Sequence, residues 1–494
     1  MRLPKEKCHK MNECIVSKIL SYSAIQPQKP ALKCKDITVS YKQLSYEIQR
    51  YSSYLKEKGV SKGDVILLAG ENKLEFIYSY FAVHLLGGVN VVVDVHSNPE
   101  RLYFIQGATR PKISIGGFKE DAISYEELQN CKQNVTSSAS PNVLETEDIC
   151  DILFTTGTTA APKGVCLSHR NESAAARNIN EFIGNTSNDI ELIALPLCHS
   201  FGLGRLRCTL YSGATAIIIN GFTNVNKFFT TIEEEHVTGF GMVPAAWNYL
   251  KRASKERIGN FRNQLKYIEI GSAPMPIEDK RYLCSLLPRT RICMHYGLTE
   301  ASRSTFLEFH NDKNNLDSVG KQTPNVEIKV KDSSGNDCNY GVEGEICVKG
   351  YHVMERYLAD SDNSHAWFGE FFRTGDWGYK KTDGYIYLIG RGKELINVGG
   401  KKLSPEEVEN EIMQCGLFAD CACVGVPDPK GVLGEVVKCF AVQANTENRV
   451  TLAELVELLK DKLETFKIPV QLEYIDKIPT TASGKKQRIQ LKSK

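Results

Sequence analysis

Short apolar runs alternate with longer amphipathic stretches from Asp64 to about Met294. Val65–Leu68 and Val89–Val93 have the length and composition of buried strands, and between them Leu74–Leu86 repeats apolar residues at helical spacing. The rhythm returns at Asp151–Phe154, Leu192–Leu195, Ala214–Ile219, Gly239–Val243 and Tyr267–Ile270. Near-continuous apolar strands alternating with helices predict parallel sheets covered on both faces. From about Val319 to Ile389 the pattern changes to short strands broken by Gly and Asp, which predicts a small barrel or meander.

The remaining hundred or so residues read as a compact domain of their own. Ser404-Pro405-Glu406-Glu407 predicts a helix start: Ser as N-cap, Pro in the first turn, and Glu three residues on to close a capping box. Thr451 and Glu454 repeat the device ahead of Leu455, Leu458, Leu459 and Leu463, and a strand carrying Val424 lies between the two helices. The fold class expected is α/β. Two α/β lobes and a small β-barrel make up residues 1–390, and a small mobile α+β domain makes up residues 391–494. A polar passage from Lys132 to Glu147 predicts an exposed connection.

Composition narrows the function without defining it. The 494 residues are 42% hydrophobic and 24% charged, with a net charge of +2. Such a balance gives no overall field toward nucleic acid or an acidic membrane. The charged N-terminus argues against a secretory signal, and no run of about 18 apolar residues offers a membrane span. Sixteen cysteines without a signal peptide predict reduced thiols and a cytoplasmic setting. Cys415, Cys421, Cys423 and Cys439 lack paired CxxC spacing, so buried thiols are expected there rather than a metal site.

The chemistry concentrates in Phe154-Thr-Thr-Gly-Thr-Thr-Ala-Ala-Pro-Lys-Gly-Val165, directly after an apolar strand. Hydroxyls of Thr155, Thr156, Thr158 and Thr159, backbone N–H groups around Gly157, and the charge of Lys163 suit a polyphosphate. The run is not a Walker loop, because Pro162 stands where the second Gly is required. Downstream follow Gly271-Ser-Ala-Pro274, His295-Tyr-Gly-Leu-Thr-Glu300, Phe372-Arg-Thr-Gly-Asp376, Gly390-Arg-Gly-Lys393 and Pro479-Thr-Thr-Ala-Ser-Gly-Lys485.

In this order and spacing the motifs resemble the adenylate-forming superfamily of acyl- and aryl-CoA synthetases, peptide-synthetase adenylation domains and luciferases. The resemblance covers almost the whole chain from about residue 30. It implies that ATP and Mg2+ activate a small carboxylic acid to an acyl-adenylate, and that the acyl group then passes to a thiol. CoA and the phosphopantetheine of an acyl carrier protein present the same thiol, and both stay open. No nucleic-acid partner is implied.

The resemblance also assigns roles. Lys485 bridges the attacking carboxylate and the α-phosphate, Glu300 and Thr155 hold Mg2+, and His199 borders the carboxylate. Tyr296 offers a face to adenine, with Gly271, Ser272, Ala273, Gly297 and Thr299 around the nucleotide. Asp376 takes the ribose hydroxyls and Arg391 adds ribose or phosphate contacts. Lys393 is the hinge, and Gly399 and Gly400 line the entry of the thiol. Phe201, Leu203, Met242 and Met275 are expected to form an apolar acyl pocket. Arg205, Arg207 and Arg303 are expected in surface or interlobe pairs, or one of them meets a second polar group of the acid. No Asp near the start of the 199–204 segment is available to hold an amino group, which favours a plain acid over an amino acid.

The chain departs from the family pattern at Ala160, where glycine is usual. A left-handed backbone there would cost alanine roughly 1 kcal/mol. Two other readings remain: adenylation feeding a reaction other than thioester formation, and a nucleotide-binding homologue without catalysis.

Overall fold

The computed structural model describes residues 14–94, 96–97, 99–118, 122–131, 144–155, 162–392, 394–399, 401–444, 449–480 and 486–492. These fall into two compact units. The larger contains residues up to Thr155, Lys163–Ile328 and Val348–Phe372; the smaller contains Lys329–Cys347 and the chain from Arg373 onward.

Two α/β sheets organise the larger unit, as the alternating pattern predicts. One has seven strands, with Val65–Ala69 parallel to Val89–Val93, which is in turn parallel to Ile149–Phe154. The other has nine strands, with Ile190–Ile193, Thr215–Ile218, Gly239–Met242, Tyr267–Ile270 and Arg291–Tyr296 parallel through its middle. The helix Leu74–Leu85 is buried at every position except Glu75. Apolar residues all around its circumference leave it no polar face to give to solvent.

Two helices of the larger unit, His169–Ile183 and Ser200–Tyr211, pack against each other. His169–Ile183 starts with a closed capping box between Ser168 and Asn171 and stops at Gly184, whose φ of 83° ends the helix in the left-handed region. Ser200–Tyr211 has His199 as its N-cap residue, with no side-chain cap bond, and is buried from Phe201 to Leu210.

In a further sheet, most of it in the smaller unit, Phe371–Lys380 pairs antiparallel with Ile386–Arg391, next to Gly344–Lys349 and Glu327–Lys331. Among the described residues these strands form an open run, so the meander is seen without closure of a barrel. The C-terminal part is a three-stranded sheet, Phe418–Pro427, Glu435–Gln443 and Gln471–Tyr474. Its core joins Val408, Ile412, Leu455 and Leu459 to Cys421, Cys423 and Cys439. Thr451 and Glu454 close the predicted capping box. Ser404 does not: its hydroxyl accepts from Glu406 N instead, which caps Pro405–Gln414 without a box.

Candidate active site

The phosphate-loop motif begins where the strand Ile149–Phe154 ends. Its neck is closed by Thr155 N donating to Lys163 O at 3.0 Å and by Lys163 N donating to Thr155 Oγ1 at 3.3 Å. A residue that the motif did not point to adds support: Arg101, on the helix Pro99–Thr109, donates to the carbonyls of Phe154 and Thr155. Thr156, Gly157, Thr158, Thr159 and Ala160 lie outside the described residues, as do Lys393, Gly400 and Lys485. Lys163 Nζ sits 2.9 Å from Asp362 and over the ring of Tyr357. Its charge has a partner within the larger unit.

Glu300 is buried, and its Oε1 accepts a hydrogen bond from Tyr357 Oη at 2.7 Å. Tyr357 also lies under Lys163, so one ring links the lysine of the phosphate motif to the carboxylate expected to hold Mg2+. Nothing in the spacing of the sequence singled out Tyr357. A carboxylate oriented by one hydroxyl, with hard oxygen donors only, fits the ligand preference of Mg2+. Tyr296 ends its strand half-buried, Gly297 and Ser272 are exposed, and Ser272 adopts a φ of 74° at the end of the adjacent parallel strand.

Asp376 and Arg391 face each other across the hairpin of the smaller unit, with Arg391 Nε 2.9 Å from Asp376 Oδ1. Arg391 also donates to Thr374 O, and Asp376 N donates to Thr374 Oγ1. The two predicted nucleotide contacts are thus neighbours. Gly399 follows the strand Ile396–Val398 at a φ of 58°, exposed, with its N–H on Leu433 O.

The expected acyl residues Phe201, Leu203, Met242 and Met275 are all buried. Phe201 packs edge-on to His295 with ring centroids 4.7 Å apart, and lies against Gly241 of the nine-stranded sheet. None of the four lines the cavity that opens beside Ser200 and Thr299. Its walls include Ser200, Gly204 and Arg207, one face of the Ser200–Tyr211 helix, together with Glu172, Ser302 and Arg303. Two broader clefts, at Thr223–Asn226 and around Lys251–Glu256, carry none of the predicted site residues.

The arginines need correction. Arg205, Arg207 and Arg303 are neither at the surface nor free for the acid; each is 7% exposed or less. Arg205 binds Glu191 through Nε and a terminal nitrogen, both at 2.5 Å, and Glu269 at 3.0 Å. Arg207 pairs with Asp151 and Glu172 and donates to Tyr80. Helical residues two apart point to different sides, so each arginine meets its own set of carboxylates.

Cys421, Cys423 and Cys439 are buried thiols in the C-terminal core, as expected, and Cys415 is half-buried against it. Among the described residues, the groups with donor atoms close enough for one ion are His84–Cys150–Glu172 and Asp94–Cys198–His199, not the C-terminal cysteines. The described cysteines are all free. No helix among the described residues is long and apolar enough to cross a membrane.

This arrangement is that of a nucleotide-dependent, adenylate-forming fold, and comparison with known proteins gives the family. Residues 22–358 match the model of the AMP-binding enzyme family, and residues 407–485 match that of the AMP-binding enzyme C-terminal domain. The chain belongs to this family, within the adenylate-forming superfamily.

Among its relatives is the 2-succinylbenzoate–CoA ligase of Bacillus licheniformis, 29% identical over 94% of this chain and 97% of that protein. Feruloyl-CoA synthase of an Amycolatopsis species is 28% identical over 93% and 95%. The o-succinylbenzoate CoA synthetase of Bacillus subtilis, solved with its acyl-adenylate intermediate, matches with a TM-score of 0.85. It is 27% identical over 96% of this chain and 97% of that one. The same enzyme solved with ATP and a magnesium ion matches equally well, at 26% identity over 96% and 99%.

Proposed function

We propose that this protein uses ATP and Mg2+ to convert a small carboxylic acid to its acyl-adenylate, and then transfers the acyl group to the thiol of CoA. The observation that carries the reading is the joint presence, in one family fold, of the Thr155–Lys163 neck, the Tyr357-oriented Glu300 and the Asp376–Arg391 pair. An acid–thiol ligase is also what its relatives are by name.

The difficulty of the reaction is electrostatic: a carboxylate approaches the α-phosphate of ATP while pyrophosphate leaves. Mg2+, when bound, supplies charge neutralisation on the phosphates, and Glu300 with Thr155 would hold it. Tyr357 fixes the rotamer of Glu300, so the ligand oxygen needs little reorganisation. The phosphate loop and Lys163 hold the polyphosphate, and Asp376 and Arg391 take the ribose. Tyr296 stacks on adenine beside Gly271, Ser272, Ala273, Gly297 and Thr299. His199 borders the carboxylate at the start of its helix. Lys485 carries the charge that joins carboxylate to α-phosphate.

We place the functional boundary at residues 390/391 and the hinge at Lys393. Gly399 and Gly400 guide the thiol, and a carrier protein's phosphopantetheine is the alternative acceptor. The free cysteines support a cytoplasmic setting.

The test is pyrophosphate release from MgATP across a panel of alkyl and aryl acids, with hydroxylamine as trap, followed by CoA. Acid-dependent release should fall by about 10²–10³ in Lys485→Ala. Release that does not depend on any acid, or that survives in that variant, would overturn the assignment.

A further inference from the structure

Behind Ser200 and Thr299 the larger unit holds a cavity of about 30 Å3. That is room for about one or two water molecules. Ser200 follows His199, expected to border the carboxylate, and Thr299 precedes Glu300, so the cavity adjoins both segments and is read as the acyl space. This step rests on the function proposed above.

Arg303 forms one wall and takes up the volume that the helix leaves open. It is 3% exposed, at a φ of 52°. Its Nε donates to Glu269 at 3.0 Å, and its terminal nitrogens donate to Phe201 O at 3.1 Å and Ser302 Oγ at 3.0 Å. The guanidinium lies so close to Gly204 that a Cβ there would come within 2.5 Å of it. Glycine at 204 therefore makes room for the arginine head rather than for a ligand.

The local charges are already spent. Arg205 and Arg303 stand against Glu191 and Glu269, two cations for two carboxylates. Burial works to raise the Glu269 pKa, but Arg303, His295 and Arg205 outweigh it and hold the carboxyl well below its usual range. Arg207, on another wall, is committed to Asp151 and Glu172. A second carboxylate on the substrate would meet no uncommitted cation here and would have to be desolvated without a partner.

We propose that Arg303 is the specificity-determining residue of this enzyme: its side chain closes the acyl cavity, restricting the substrate to short acids that carry one carboxylate. The aryl acids named for the relatives are too large for this space.

The test compares kcat/KM for pyrophosphate release with propionate, butyrate, octanoate, ferulate and succinate. The wild type is expected to favour propionate or butyrate over the other three by tenfold or more. Arg303→Gly suits the positive φ, and combining it with Glu269→Gln avoids stranding a buried carboxylate. That double variant should gain octanoate or ferulate activity, mainly through a lower KM, while losing less on butyrate. If it does not fold, Arg303→Lys keeps the charge with a smaller head and should extend the range from butyrate to hexanoate. Wild-type turnover of octanoate, ferulate or succinate as efficient as that of butyrate overturns the inference and leaves the ligase reading standing. So does an unchanged acid profile in a folded variant. No acid-dependent release with any member of the panel, or with a wider one, overturns both.

Discussion

Each unit fixes a segment of the proposed chemistry with a buried arginine, and the two do it differently. In the larger unit Arg205 and Arg303 meet Glu191 and Glu269, every side chain at most 3% exposed, and together they tie the start of the Ser200–Tyr211 helix to two strands of the nine-stranded sheet. In the smaller unit Arg488 grips Glu409 with two bonds of 2.9 Å and Glu394 with one of 2.6 Å. Lys486 joins the same cluster through Glu409 and Asp420. That cluster remains open to water at its edges, since Lys486 is 22% and Asp420 40% exposed. A sealed network holds one geometry, because any rearrangement strands a charge in low dielectric. A cluster reached by water can exchange partners at lower cost. The segment just after Lys485 is therefore anchored by a softer device than the one that sets His199.

Breaking the sealed network should have the largest effect on stability. Arg205→Met leaves Glu191 without its bidentate partner and Glu269 with one guanidinium fewer, and is expected to cost about 3–5 kcal/mol. Urea denaturation, following the transition of the larger unit, measures it. Added salt up to about 1 M should barely change the wild-type stability of that unit, since buried pairs are screened little. A loss under about 1 kcal/mol would mean that the helix start does not depend on these charges.

Arg488→Met should cost less, about 1–3 kcal/mol in the transition of the smaller unit, because Lys486 remains as a partner for Glu409. Here salt should matter: the difference between variant and wild type should shrink as ionic strength rises. If Arg488→Met costs as much as Arg205→Met and shows no salt dependence, the contrast between the two networks is wrong.

Elements carried by periodicity alone were the most legible. Val89–Val93 and Tyr267–Ile270 are strands at the predicted residues, and Leu74–Leu85 is the predicted helix to within a residue. Ile190–Ile193 begins and ends two residues before the apolar run, because the run Leu192–Leu195 continues past the last sheet pairing into a buried turn. The motifs singled out Glu300, Asp376 and Arg391 as candidates. They did not show that Asp376 and Arg391 pair across one hairpin, since that depends on strand register.

Tyr357 and Arg101 could not be found from the sequence, because each meets its motif residues across a long separation in the chain. Charge patterning misled for Arg205, Arg207 and Arg303. The sequence shows arginines but not that Glu191, Glu269, Asp151 and Glu172 enter the core beside them. Phe201 and Met242, expected at the acyl pocket, are both buried, and the cavity beside Ser200 and Thr299 opens on another face of the helix that carries Phe201.

The buried histidine near the cavity carries the smallest expected effect and tests the other side of the same argument. His352 is 2% exposed, and its Nε2 lies 3.2 Å from Ser304 Oγ. Burial alone pulls its pKa down to about 4, with no carboxylate to support the charged form. The arginines stay charged in the core because carboxylates came with them; His352 stays neutral because none did. A group whose pKa is lower in the folded than in the unfolded state binds its proton preferentially in the unfolded chain. Its contribution is therefore neutral above about pH 6.5 and turns destabilising as the pH falls below that value toward about 4. Between about pH 6.5 and 5.5 the loss from this residue is about 1 kcal/mol. His352→Gln, which has no proton to take up, should flatten the fall in unfolding free energy over that interval by about the same amount, whatever it does to stability at neutral pH. An unchanged slope would show that His352 reaches water or a counter-charge in solution, and that polar groups in this core are not held in one protonation state by burial alone.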